Sequence, residues 1–174
     1  MTIFKTERLA LVEFKKTHAA FLYDLVNDPV WIEFIGDKNV HSLKDAEDYI
    51  ENRLRKSYEN HGFGFYVVKI KETDQPVGMC GLVDRPGLDD IDIGFAFLKE
   101  HRKRGYGFES SEGMLRYANK ELGIDKVVAI THPDNVASGK LLEKLGLTFD
   151  RLIQLPEDKK DWCKLYVQNG RSNL

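Results

Sequence analysis

The chain has 174 residues, of which 42% are hydrophobic and 31% charged, with 14 Gly and 5 Pro, a globular composition and not a disordered or collagenous one. That length predicts one domain, burying roughly 70% of the surface its unfolded chain exposes without help from a disulfide. A net charge of -2 supplies no general field for nucleic acid or anionic lipid, and Cys80 and Cys163 lack CxxC spacing. No apolar run approaches the ~18 residues of a membrane span, and the N-terminus has neither a basic region nor a long apolar one. A cytoplasmic protein with no nucleic-acid or membrane partner is expected, as a monomer or homodimer.

Arg8 to Phe14 alternates imperfectly and reads as a strand, after which Thr17 is placed to cap a helix running to about Val26. Asp28-Pro29 ends that helix. Ser42 with Asp45 resembles a capping box, and Ala46, Tyr49, Ile50, Arg53, Leu54 and Tyr58 recur at helical spacing to about Asn60. Three strands follow, Phe63 to Ile70, Val77 to Val83 and Ile91 to Leu98, separated by turn-rich segments, which makes an antiparallel meander. A helix from about Phe108 to Leu122 stops at Gly123, and Lys126 to Thr131 is the next strand. Asp134 or Asn135 caps a helix whose inner face is Ala137, Leu141, Leu142 and Leu145, ended by Gly146. Leu147 to Leu155 and Trp162 to Val167 close the chain as strands. The order βααβββαβαββ predicts an α/β (α+β) fold, with a mixed sheet of about seven strands flanked by about four helices and a βαβ crossover after the meander.

Chemistry concentrates after the strand Ile91 to Leu98, where Lys99 to Arg104 lead into Gly105-Tyr106-Gly107 and a helix. A glycine-containing loop entering a helix offers free N–H groups and the positive end of the dipole, which together suit a pyrophosphate. A basic strand-to-helix loop with glycines only for turning is the other reading. Gly-Phe-Glu stands where a P-loop needs Gly-Lys-Ser or Gly-Lys-Thr, which excludes it; a dinucleotide fingerprint stays as the runner-up, although six residues intervene where it needs Gly directly after the strand. The five His show no HxxxH or His–Cys cluster, so no metal is expected. Cys80 reads as a buried strand residue.

Arg102-x-x-Gly105-x-Gly107 resembles the [Gln/Arg]-x-x-Gly-x-[Gly/Ala] signature of the GNAT acetyltransferases. Further segments are similar to the family in chain order: Thr6-Glu7-Arg8-Leu9, Val77 to Leu82, Asp92-Ile93-Gly94-Phe95, Asn135-x-x-Ser138 and Glu143 to Leu147. The resemblance covers nearly the whole chain and is closest to the ribosomal-protein N-terminal acetyltransferase branch. It implies one N-acetyltransferase domain over residues 1–174, with acetyl-CoA as cosubstrate and an amine acceptor, either a peptide N-terminus or a small molecule.

The resemblance also implies roles. Arg104, Gly105, Tyr106, Gly107 and Phe108 would cradle the pyrophosphate with their amides while Arg102, Lys103 and Arg104 screen it, and the pantetheine arm would pair with backbone near Phe97 and Leu98 in a groove opened by splayed strands. An amide near Leu98 would steady the thioester oxygen. Asp92, Gly94 and Ala96 share one face of their strand, whose small residues leave room, and Asp92 is the candidate general base, or else a solvent-facing polar residue. Leu142 stands where many relatives carry Tyr, so Ser138 is the candidate proton donor, or a small residue chosen for packing; Asn135 bonds the cofactor, caps its helix, or does both. Trp31, Glu33 and Phe34 are expected to wall the amine site, with Glu33 and Asp37 drawing a cationic substrate or lying solvated. A non-catalytic coenzyme A or nucleotide sensor is the alternative reading.

Overall fold

The computed structural model describes residues 1–168, so the last six residues of the expected domain lie outside the described ones. Its core is an eight-stranded mixed sheet in the order β1-β2-β3-β4-β5-β6-β8-β7. The strands are β1 (Thr2–Lys5), β2 (Leu9–Glu13), β3 (Phe65–Ile70), β4 (Pro76–Val83), β5 (Ile91–Phe97), β6 (Val127–Thr131), β7 (Leu147–Leu155) and β8 (Asp158–Gln168). β3 to β5 form the expected antiparallel meander, which β2 and β1 extend; β5 and β6 are the parallel pair, and β7 with β8 an antiparallel hairpin on β6. The strand beyond the expected seven is β1, too short to show a period; pairing with β2 and the stacking of Phe4 on Tyr117 at 5.6 Å hold it.

The helices are α1 (Ala19–Val26), α2 (Pro29–Phe34), α3 (Leu43–Tyr49), α4 (Arg55–His61), α5 (Tyr106–Leu122) and α6 (Val136–Lys144). α3 passes through a π-helical segment, Ile50–Leu54, into α4, so the two run on as the one helix expected there, and the described residues form five helical rods where about four were expected. The additional one is α2. Asp28-Pro29 ends α1, as expected, and also starts α2: the Asp28 carboxylate accepts from the Val30 and Trp31 amides at 3.0 and 3.4 Å, and Pro29 occupies the first turn where its missing N–H costs nothing.

Strand alternation sorts the core onto the two sheet faces. Cys80, Leu82, Ile93 and Phe97 pack with Met114, Leu115 and Ala118 of α5 and Leu142 of α6. Val67 and Met79 pack on the other face with Leu22, Leu25, Trp31, Ala46, Ile50 and Leu54 of the N-terminal helices. The β4/β5 register is unbroken from Gly78↔Phe97 to Val83↔Asp92, so Ile91, Ile93, Phe95 and Phe97 face α5 and α6 while Asp92, Gly94 and Ala96 face α1 to α4. On α6 the expected inner face is partly displaced: Leu142 is buried, but Ala137 is exposed, and Gly139 faces inward because a Cβ there would stand 2.6 Å from the Tyr166 hydroxyl.

Candidate active site

β5 and β6 pair only at Ile91↔Val127 and Asp92↔Val128. Beyond that point β5 continues to Phe97 beside β4 and β6 continues to Thr131 beside β8, so the sheet splays open between them. The Leu98 amide donates to the Val77 carbonyl at 3.0 Å. By the alternation of antiparallel bonding, Ala96 and Leu98 direct their backbone groups to β4, whereas Phe95 and Phe97 direct theirs into the opening. The amide expected near Leu98 is therefore that of Phe97, since Leu98 has spent its own on the sheet. The Phe97 carbonyl already accepts from Arg102 Nε at 3.0 Å.

A cleft of about 450 Å³ occupies the opening. Its floor is Phe95 to Phe97, one wall is α2 with Trp31 and Phe34, and the other is α6 with Asn135, Ser138, Lys140 and Lys144. At one end lie Lys103, Gly105, Tyr106, Gly107 and Phe108. Gly105 sits at φ +80° as the residue before α5, with no side-chain cap, so the first amides of this 17-residue helix lack intrahelical partners. At Gly107 a Cβ would stand 2.8 Å from the end of the Leu141 side chain, so only a small residue fits without that side chain moving. Lys103, also left-handed at φ 59°, turns the chain just before Gly105.

The loop is held from outside by a latch that sequence reading took only as a family likeness. The Glu109 carboxylate accepts from the Thr6 hydroxyl, the Arg8 amide and Arg8 Nε at 2.6, 2.7 and 2.6 Å. Arg8 Nη1 donates to the Arg104 carbonyl at 3.0 Å, and its guanidinium lies 4.8 Å from the Tyr106 ring centre. Burial works to raise the Glu109 pKa, but these bonds and the Arg8 charge outweigh it and hold the carboxyl below its ordinary value.

The predicted cations divide. Arg102 lines the cleft, but its Nη2 is ion-paired with Asp28 at 2.5 Å and its Nε is on Phe97, so it fastens α2 to the end of β5 and has little left for a phosphate. Arg104 is exposed outside the cleft lining, while Lys103 lines it. Lys140 and Lys144 of α6 also line it, with Lys144 4.3 Å from the Phe108 ring centre; nothing in the sequence pointed from α6 to the basic loop. Asn135 caps α6, its Oδ1 accepting from the Ser138 amide at 3.2 Å, and still borders the cleft.

Of the expected amine-site residues, Trp31 and Phe34 line the cleft, but Glu33 is exposed on the outer side of α2 and does not. Asp37 is exposed and accepts from the Asn39 amide at 2.7 Å. Two further buried nitrogens on the cleft lining, Trp31 Nε1 and His101 Nδ1, have no partner among the described residues. An apolar channel with unpaired donors along a free strand edge, ending at uncapped helix amides and three lysines, fits a long amide-bearing arm that carries phosphates.

Asp92 lies outside that lining, four residues or roughly 13 Å along β5 from Ala96. It is 2% exposed, so the solvent-facing reading fails. Its Oδ2 accepts from Arg85 Nε at 2.9 Å, and Oδ1 has no partner among the described residues. Burial pushes its pKa up to about 6, with Arg85 opposing the rise. The room expected over Gly94 is taken by the Phe65 ring, 2.9 Å from where a Cβ would stand. Cys80 is fully buried with its thiol pushed up to about 11 by that burial, which leaves it no part as a nucleophile.

A splayed mixed sheet whose open edge leads to an uncapped helix end is the architecture of an acyl-group transferase. The acetyltransferase (GNAT) domain family matches residues 8–148, and the chain belongs to it as an N-acetyltransferase. The chain is 22% identical over 163 residues to the uncharacterized N-acetyltransferase YnaD of Bacillus subtilis, covering 92% of each. Its fold is similar to that of an acetyltransferase from Agrobacterium tumefaciens, at TM-score 0.79 and 22% identity over 95% of this chain and 93% of that one. It is also similar to the ribosomal-protein-S5-alanine acetyltransferase from Vibrio fischeri, at TM-score 0.79 and 12% identity over 98% and 97%.

Proposed function

We propose that this protein, acting as one N-acetyltransferase domain, moves an acetyl group from acetyl-CoA to a primary amine. Bound acetyl-CoA supplies the acetyl group as a thioester, which the neutral amine attacks directly. The observation that carries the reading is the free edge of β5 running into the uncapped start of α5. The amides of Tyr106, Gly107 and Phe108 meet the pyrophosphate, assisted by Lys103, Lys140 and Lys144, and Arg104 reaches the outer phosphate from the loop.

Phe95 and Phe97 offer backbone groups to the arm, and the Phe97 amide donates to the acyl oxygen. Asp92 takes the amine proton through intervening water, as its distance from the cleft requires, and is ionised for that task near neutral pH. The Ser138 hydroxyl, on the first turn of α6 at the cleft wall, returns a proton to the departing thiolate. Free thiol should appear from acetyl-CoA only when an amine acceptor is added. Tight coenzyme A binding with no amine-dependent thiol release would overturn the proposal and favour a sensor.

A further inference from the structure

A 3-10 turn, Lys99–His101, joins the end of β5 to the phosphate loop, and its last residue places an imidazole on the cleft lining. The turn is fixed from both sides. The His101 and Arg102 amides donate to the Leu98 and Lys99 carbonyls at 2.9 and 3.3 Å, and the Arg102 side chain ties the following residue to Phe97 and Asp28. His101 is only 7% exposed, so its ring is part of the cleft wall and not of the outer surface.

Gln75, in the turn before β4, sets which ring nitrogen carries the hydrogen. The β4/β5 register and the Leu98–Val77 bond bring that turn beside the one after β5, and Gln75 Nε2 lies 3.4 Å from His101 Nε2. An amide nitrogen only donates, so Nε2 is the accepting nitrogen and the uncharged ring carries its hydrogen on Nδ1. Nδ1 is buried and has no partner among the described residues. A buried donor left unmade costs the folded protein free energy, which a ligand oxygen at that place would recover.

Position along the chain separates this donor from the other unpaired nitrogen. Trp31 Nε1 belongs to the α2 wall, whereas His101 lies between the free edge of β5 and the amides of Tyr106 to Phe108, the stretch that joins a thioester to its pyrophosphate. The backbone is short of partners along that stretch. Leu98 has given its amide to Val77, and the Phe97 carbonyl already accepts from Arg102. A side-chain donor therefore stands where the sheet edge offers least, among the apolar groups Phe97 and Leu141, where a hydrogen bond is stronger than in water.

We infer that His101 is a binding residue for the cosubstrate, its Nδ1–H donating to a carbonyl or hydroxyl oxygen of the pantetheine arm, with Gln75 as the positioning residue that keeps the hydrogen on that nitrogen. This rests on the coenzyme A site of the acetyl-transfer reading above and adds side-chain recognition of the arm to it.

The test is calorimetry on the whole protein with coenzyme A and with adenosine 3′,5′-bisphosphate, which keeps phosphates and lacks the arm. His101→Phe keeps a ring in the wall and removes the donor, so coenzyme A affinity should fall about tenfold while the bisphosphate binds as before. Gln75→Leu, at an exposed position outside the cleft lining, lets the hydrogen divide between the two nitrogens and should weaken coenzyme A by about two- to threefold. In the unaltered protein with 15N-labelled histidines, Nδ1 of His101 should bear the hydrogen before any ligand is added, and its signal should move with coenzyme A but not with the bisphosphate.

Unchanged coenzyme A affinity in His101→Phe, or equal losses for the two ligands, would overturn the assignment. So would a hydrogen on Nε2 in the unaltered protein, a result that does not depend on how any variant folds. Failure of the unaltered protein to bind coenzyme A would sink this inference and the acetyl-transfer reading together. Binding as expected with no amine-dependent thiol release would count against transfer alone and leave the role of His101 standing.

Discussion

Asp92→Asn keeps the shape of the side chain and removes its ability to accept a proton, and the structure sets the size of what should follow. With a pKa of about 6, the wild-type carboxyl is mostly ionised at neutral pH, and the rate should fall about tenfold for each unit below that value. The acid limb should therefore centre near pH 6, and the variant should lose both that limb and about 10²–10⁴-fold of turnover, the usual contribution of a positioned base. Initial rates of thiol release across a pH series, with saturating acetyl-CoA, read both effects. Stability supplies a second, independent reading. Because folding raises this pKa above the ordinary 3.8 of an aspartate, the folded state holds an extra proton between the two values, and stability is lost as pH rises from about 4 through about 6. The loss amounts to about 3 kcal/mol, and the neutral Asn escapes it. Arg85, one-third exposed, keeps access to water when its partner is neutralised. Denaturant melts should therefore show the variant gaining on the wild type across that window. Turnover with an unchanged acid limb would refute the base assignment, and identical pH dependence of stability would refute the buried, shifted carboxyl.

Gly105→Val forces a branched residue into φ +80° beside Arg8, so coenzyme A affinity measured by calorimetry should fall at least about tenfold; unchanged affinity in a folded variant would remove the loop from the site. Arg102→Gln should cost about 1–3 kcal/mol of stability through the lost Asp28 and Phe97 bonds and weaken coenzyme A and dephospho-coenzyme A equally. Arg104→Gln should spare stability and weaken coenzyme A more than its dephospho form; equal losses would place Arg104 away from the 3′-phosphate. Glu109→Gln loosens the latch on Arg8, so coenzyme A affinity should drop without direct contact, and restoring affinity by Glu109→Asp would be inconsistent with the three-bond geometry seen here.

The periodic elements were legible because each side of a strand or helix is written locally. Alternation along Ile91 to Phe97 already separated the Asp92 face from the α5 face, and the glycines at 105 and 107 marked the start of α5. Short elements were missed for the same reason: Thr2–Lys5 and Pro29–Phe34 are too brief to display a period and depend on a neighbouring strand and on the Asp28 cap. The site itself was read unevenly. Gly105, Gly107, Phe97, Asn135, Ser138, Trp31 and Phe34 all come together at the cleft, while Arg102 is diverted by a carboxylate 74 residues earlier and Glu33 turns outward.

The sequence by itself determined the order of the longer, periodic elements, the two faces of the sheet and the helix entry that suits an anion, since these follow from side-chain spacing and from where glycine relieves the backbone. Only the tertiary structure decided where β5 and β6 part, which depends on β6 taking β8 as its other partner, and which amide that leaves free. It alone decided that Arg8 and Glu109 meet across 101 residues, and that Arg85 lands on the buried Asp92. Charges act by distance in space, and a distance between remote segments is fixed by how the whole chain packs, which no local spacing records.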